Sequence, residues 1–238
     1  MKNFKNIQKG LMVKISAVCM LSVVLSSCLK DHSSDTPAPP VALLTVTQAS
    51  PDQPGLDFSI NGTRINAYVL NFGSNIDYFR AYTGKRTFTF SKSGTTTTVI
   101  SDTATLKQNV AYSLFLVNKA ATPQLLLLTD TISQPTTGNA GLRFVNLSPD
   151  APAVDLAVKD GSVLVTNKGF KGFSTFQPIA GKTYSFEIRK AGTTTVLASL
   201  NNVNISSGFV YSIYLRGLAA ATDATKLTAD LIINAHPY

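Results

Sequence analysis

The sequence predicts an all-β protein made of two tandem antiparallel β-sandwiches, each of immunoglobulin-like size. Three observations predict it. First, the composition is rich in Thr, Val, Ser, Leu and Phe and poor in helix formers, with Glu187 the sole Glu among 238 residues. Second, apolar residues recur with period two. In KTYSFEIR, Tyr184, Phe186 and Ile188 alternate with Ser185, Glu187 and Arg189, and in VYSIYLR, Tyr211, Ile213 and Leu215 share one side. Such alternation sets one face of an antiparallel sheet on a core. Third, the chain repeats itself: SPDQPGLD at 50–57 returns as SPDAPAVD at 148–155.

The repeat extends well beyond those eight residues. Phe88, Phe90, Lys92 and Gly94 match Phe186, Ile188, Lys190 and Gly192, and Tyr112, Leu114 and Leu116 match Tyr211, Ile213 and Leu215. An offset of 97–99 positions is too long for a solenoid repeat and fits whole domains in tandem. The domains are expected at 42–132 and 142–238, joined by a linker at 133–141, each folding around its own core.

In chain order, the first 27 residues combine a basic leader with an apolar run from Ile15 to Leu25, which is too short to span a bilayer and fits a signal peptide. This segment holds four of the 21 basic residues and none of the 13 acidic ones, so the rest carries a net charge near +4. Leu25-Ser26-Ser27-Cys28 resembles a bacterial lipobox, which implies cleavage before Cys28 and lipidation of its thiol. Residues 28–41 then read as an acylated cysteine and a flexible Ser/Asp/Pro-rich tether. Lys30-Asp31 resembles a surface-export signal of some Bacteroidota lipoproteins, while an ordinary solvated tether explains the same charges. The expected location is the outer membrane, lipid-anchored, with its face left open.

Within each sandwich, the Ser-Pro-Asp-x-Pro line follows a first strand. Two prolines fix φ and the Asp bonds back to loop amides, so the line reads as a rigid corner launching a second strand at Leu56–Ile60 and Val154–Val158. Asn61-Gly62 and Asp160-Gly161 read as hairpin turns. The run from Leu125 to Ile132 is apolar at nearly every position and reads as a central strand.

The chemistry is sparse. The histidines are His32, in the tether, and His236, and the cysteines are Cys19, in the leader, and Cys28. These offer neither a catalytic triad nor a zinc site, so no enzyme and no cofactor are expected. The remaining basic residues are scattered, which excludes a nucleic-acid-binding face. The best candidate site is the Asp pair of each repeated line, Asp52 with Asp57 and Asp150 with Asp155. They read either as structural turn residues or as carboxylate ligands for calcium. A glycan site needs an aromatic platform. There is no Trp, and Tyr78, Tyr82 and Tyr214 are the least plainly core-facing tyrosines.

The repeated line, the Gly-Lys-Tyr strand and the late aromatic strand resemble the DUF4397 family, a domain of unknown function in bacterial envelope proteins. The resemblance covers residues from about 43 to 234, as two copies. Many relatives carry His two positions before the motif Ser. Here those positions are Gln48 and Asn146, so a role resting on that His is absent. With the lipobox, the resemblance implies a non-catalytic lipoprotein that joins the membrane through its lipid anchor and acts as a surface binding or spacer module for a glycan or protein partner. The alternative is a glycan-binding accessory lipoprotein of a nutrient-uptake system.

Overall fold

The computed structural model describes residues 38–236, all strand, turn and loop. The leader, Cys28 and most of the tether lie outside the described residues. The first half contains β1 (Val41–Gln48), β2 (Leu56–Ile60), β3 (Thr63–Arg64), β4 (Asn75–Tyr82), β5 (Gly84–Lys92), β6 (Thr98–Leu106), β7 (Ala111–Val117) and β8 (Gln124–Asp130). The second contains β9 (Asn139–Asn146), β10 (Val154–Val158), β11 (Val163–Lys168), β12 (Gln177–Ala180), β13 (Lys182–Lys190), β14 (Val196–Ile205), β15 (Val210–Arg216) and β16 (Thr228–Ala235). Strand β9 starts inside the stretch that the sequence reads as linker.

Each half is a sandwich of two four-stranded sheets: β4-β1-β7-β8 over β3-β2-β5-β6, and β12-β9-β15-β16 over β11-β10-β13-β14. Their cores are closely parallel. Leu44, Val46, Phe58, Phe88, Phe90 and Leu114 fill the first, and Leu142, Phe144, Leu156, Phe186, Ile188 and Ile213 the second. The repeated corner carries the chain from β1 to β2, and from β9 to β10, each time switching sheets. The launched strands have the bounds expected from the spacing.

Antiparallel pairing has one exception per half: β1 pairs parallel with β7, and β9 with β15. The exception follows from the sheet switching. The chain leaves β1 for the opposite sheet, returns as β4 on one flank, crosses again, and comes back as β7 on the other flank. At the corner before β7, the Tyr112 hydroxyl accepts the Lys107 amide at 3.1 Å, and before β15 the Tyr211 hydroxyl accepts the Ser206 amide at 3.1 Å. This is the tyrosine corner of β-sandwiches, present in both halves.

The halves, each with its own core, are also joined. A third core lies between the β4-β1-β7-β8 and β12-β9-β15-β16 sheets, formed by Ala49, Phe115, Val117, Leu128, Val145, Leu147, Tyr214 and Ile232. Alternate residues of β7 therefore serve two cores: Tyr112, Leu114 and Leu116 inside the sandwich, Phe115 and Val117 between sandwiches. The same holds for β8, and this corrects its sequence reading. It is an edge strand, not a central one. Its uniform apolarity reports two covered faces, because a strand buried on both sides loses the period-two signal whatever its place in the sheet.

Candidate functional site

The four motif carboxylates sit at two different corners of each sandwich. Asp52 Oδ1 accepts the Ala120 amide at 2.7 Å, and Asp150 Oδ1 accepts the Ala219 amide at 2.9 Å, so each holds the loop that leaves β7 or β15. The motif Ser bonds the same loops, Ser50 to the Asn118 carbonyl at 2.5 Å and Ser148 to the Gly217 carbonyl at 2.7 Å. Asp57 and Asp155 point elsewhere, to the hairpin joining β5 to β6 or β13 to β14. They accept the Gly94 amide at 3.0 Å and the Gly192 amide at 2.9 Å. These glycines have φ of 71° and 69°, a left-handed turn that L side chains rarely adopt. The repeated line and the repeated Lys-x-Gly-Thr hairpin are thus two halves of one fastening.

Asp57 also accepts Ser93 Oγ and Asn66 Nδ2 and pairs with Arg64 at 2.8 Å. Desolvation pushes its carboxyl up, but the Gly94 amide, Asn66, Ser93 and Arg64 outweigh that and hold it below the usual carboxylate range. Asp155 has the Asn167 amide at 2.7 Å instead. Within each pair the two Asp side chains therefore serve separate loops rather than converging. Among the described residues, no three His, Cys, Asp or Glu come together as a ligand set.

A dense polar cluster lies away from the repeated line, between the two sandwiches. Arg143 of β9 donates to Asp130 of β8 at 2.6 Å, to Ser113 of β7 at 3.0 Å and to Ser212 of β15 at 2.8 Å. Ser212 donates to Asn234 of β16 at 2.6 Å, Asn234 to Tyr78 of β4 at 2.9 Å, and Tyr78 to Asp130, closing a ring. Ser113 adds a third donor to Asp130 at 2.7 Å. The Arg143 and Asp130 side chains are 2% and 0% exposed, and the guanidinium lies 4.5 Å from the centre of the Phe176 ring. Burial, then the Asp130 charge, pushes the Tyr78 phenol far up, so it stays a neutral donor. The available signal was a lone charge in an otherwise apolar strand: Arg143 in AGLRFV and Asp130 after LLLLT.

One edge of this ring forms part of the lining of a cleft of about 1450 Å³ between the sandwiches. Asn75, Asp77, Tyr78, Asn109, Thr131 and His236 line it beside Leu43 and Ile233, and among the described residues no Lys or Arg does. The tyrosines divide differently from the sequence expectation. Tyr82 is exposed and Tyr78 half-buried, but Tyr214 is buried in the third core. Tyr68, which the sequence reading did not single out, is 86% exposed on the loop after β3. Tyr68 and Tyr82 flank opposite ends of the first sandwich's strands and build no shared platform.

Comparison with curated proteins found no match. Among solved structures, the chain is similar to a family 26 carbohydrate-binding module, CBMbc, from Eubacterium rectale Amy13K in complex with maltoheptaose. Identity is 9% and the TM-score 0.28, over 82% of this chain and 98% of that one. It is similar to the Bacillus anthracis TIE protein at 12% identity and a TM-score of 0.25, over 74% of this chain and 34% of that one. A streptococcal virulence factor that binds α-glucan follows at 10% and 0.25, over 74% and 92%. Likeness this distant assigns neither ligand nor mechanism. A family model does match, running from β1 into β10: residues 42–157 match DUF4397, described as a domain of unknown function.

Proposed function

We propose that the chain is a non-catalytic lipoprotein, anchored in the outer membrane through Cys28, whose two fused sandwiches act as a surface binding or spacer module. One observation carries the non-catalytic reading. The carboxylates that chemistry would need are committed to the scaffold, with Asp52, Asp57, Asp150 and Asp155 each holding a loop amide. On this reading they are turn-forming residues and not calcium ligands. The third core supports the spacer role, since two sandwiches joined through Phe115, Leu128, Tyr214 and Ile232 keep a fixed separation instead of swinging on a linker. Cys28→Ala should move the protein from the membrane to the soluble fraction, and globomycin should block processing of the wild type. A Cys28→Ala variant that still fractionates with membranes refutes the anchor.

A second reading, a glycan-binding accessory lipoprotein, is favoured by the cleft alone. Hydroxyls, amides and the Asp77 and Asp130 carboxylates between apolar walls, with no Lys or Arg among the described lining residues, suit a neutral oligosaccharide and disfavour a phosphorylated or sulfated one. A glycan array probed with residues 39–238 tests it. Binding to neutral glycans that falls about tenfold in Tyr78→Ala, equivalent to roughly 1.4 kcal/mol, supports it. Binding to no array member retires it and leaves the spacer reading.

A further inference from the structure

The face that joins the sandwiches has an approximate two-fold relation, and a buried charged pair breaks it. Equivalent residues share the third core: Phe115 lies against Tyr214, with ring centres 6.4 Å apart, and Leu128 and Ile232, and Ala49 and Leu147, belong to the same cluster. The flanking loops correspond as well. Gly73 and Lys171, at φ of 87° and 62°, donate their amides to Gln48 and Asn146 at 2.8 Å each. Each loop then reaches the other sandwich. Arg216 stacks 4.3 Å from the Phe72 ring, and Lys171 Nζ bonds Gln124 Oε1 at 2.9 Å. By strand register, Ser113 corresponds to Ser212 and Arg143 to Thr45, and Asp130 corresponds to Asn234 in the bond each accepts from its half's serine, the register slipping by one residue at the β16 bulge. A surface that meets its own equivalent is the geometry of a two-fold homodimer. Here it is occupied within one chain, with one charged pair set into it.

We propose that the buried Arg143–Asp130 pair is a pairing code, which makes the partner of each face the other sandwich and forbids two like sandwiches from joining. Pairing two first sandwiches would bury two Asp130 carboxylates opposite two Thr45 hydroxyls. Pairing two second sandwiches would bury two Arg143 guanidiniums opposite two Asn234 amides. Only the unlike pairing gives each charge a counter-charge, and an uncompensated buried charge is strongly destabilising. Phe115 and Tyr214, Leu128 and Ile232, and Ala49 and Leu147 cannot make this choice, because each sandwich presents an apolar residue at these places. Specificity therefore comes from the penalty on the wrong pairs. On an envelope crowded with copies of the chain, the code would keep each molecule from linking to its neighbour through exchanged like faces.

The test starts from the folded full-length body with a protease site placed in residues 133–138, cleaved after folding. Isotopically light and heavy preparations are mixed, carried through mild urea and back, and counted by native mass spectrometry. Wild-type halves should exchange labels yet give only unlike pairs. In Asp130→Asn/Arg143→Met, like pairs should appear and approach the statistical half of all pairs. Like pairs in the wild type overturn the proposal, as does a neutral variant that still assembles only unlike pairs. Should the neutral variant fail to assemble, the reversed pair Asp130→Arg/Arg143→Asp decides. Unlike pairs restored there but absent in Asp130→Arg alone support a charge code, and no assembly in either overturns it.

Discussion

The two Asp residues of one motif should differ sharply in what they contribute, and the difference separates scaffold from metal site. Asp155 is 5% exposed and accepts two backbone amides, Asn167 at 2.7 Å and Gly192 at 2.9 Å. Hydrogen bonds to a charged acceptor contribute about 1.5–3 kcal/mol each. The two amides are partly solvated, so Asp155→Ala should cost about 2–4 kcal/mol, toward the lower end of the sum. Asp150 accepts one amide, Ala219, at an exposed position and lies 3.7 Å from Lys119 with both side chains substantially exposed. Its amide bond resembles a helix cap, worth about 0.5–2 kcal/mol, and an exposed ion pair adds at most about 1 kcal/mol. Asp150→Ala should therefore cost about 1–2 kcal/mol, clearly less than Asp155→Ala. Urea unfolding of both variants and the wild type, with calcium and with chelator, measures the order. A calcium ion shared by the pair would equalise the two losses in calcium and raise the wild-type Tm by mass action. Equal losses, or a calcium-dependent Tm that vanishes in either variant, refute the scaffold reasoning.

Residues 141–238 alone would uncover Val145, Leu147, Tyr214 and Ile232, each at most 4% exposed in the whole body. At about 1.5–3 kcal/mol per buried side chain, up to roughly 6–12 kcal/mol of burial is lost, comparable with the stability of a whole domain. The fragment should aggregate or bind a hydrophobic dye, and a soluble monomer with a full-length denaturant midpoint would show the third core to be dispensable. Because Asp57 sits below its ordinary value in the folded state, its contribution is present above the unfolded carboxylate range near 3.8 and is lost as pH falls through the folded value. Asp57→Asn should therefore flatten the loss of stability below about pH 4 in acid titrations followed by tyrosine fluorescence, and an unchanged acid limb would refute this.

Much of the architecture was legible because its signals are local. Alternation in KTYSFEIR and VYSIYLR gave β13 and β15, and the repeated Pro-Asp corner gave the ends and starts of strands in both halves. What escaped was non-local. Parallel pairing of β1 with β7 depends on the path between them, not on either sequence. The third core was present in the sequence as lost alternation in LLLLTD and AGLRFV, but a continuous apolar run has several readings. A central strand and an edge strand covered on both faces look the same until something identifies the covering partner.

The same reasoning explains why the conspicuous motif and the unmarked charges exchanged importance. Ser50, Asp52 and Asp57 recur at Ser148, Asp150 and Asp155 because each sandwich must fasten the same loops. A feature needed in both halves is written in both, and so it stands out. Arg143 and Asp130 do not recur, and in a repeat that is the informative state. Whatever distinguishes one half from the other must lie at positions where the copies differ. These two fall on the shared face, at 2% and 0% side-chain exposure, where a charge without its partner is least tolerated. In a tandem protein, matched positions reveal how a domain is built, and buried mismatches reveal how the domains recognise each other.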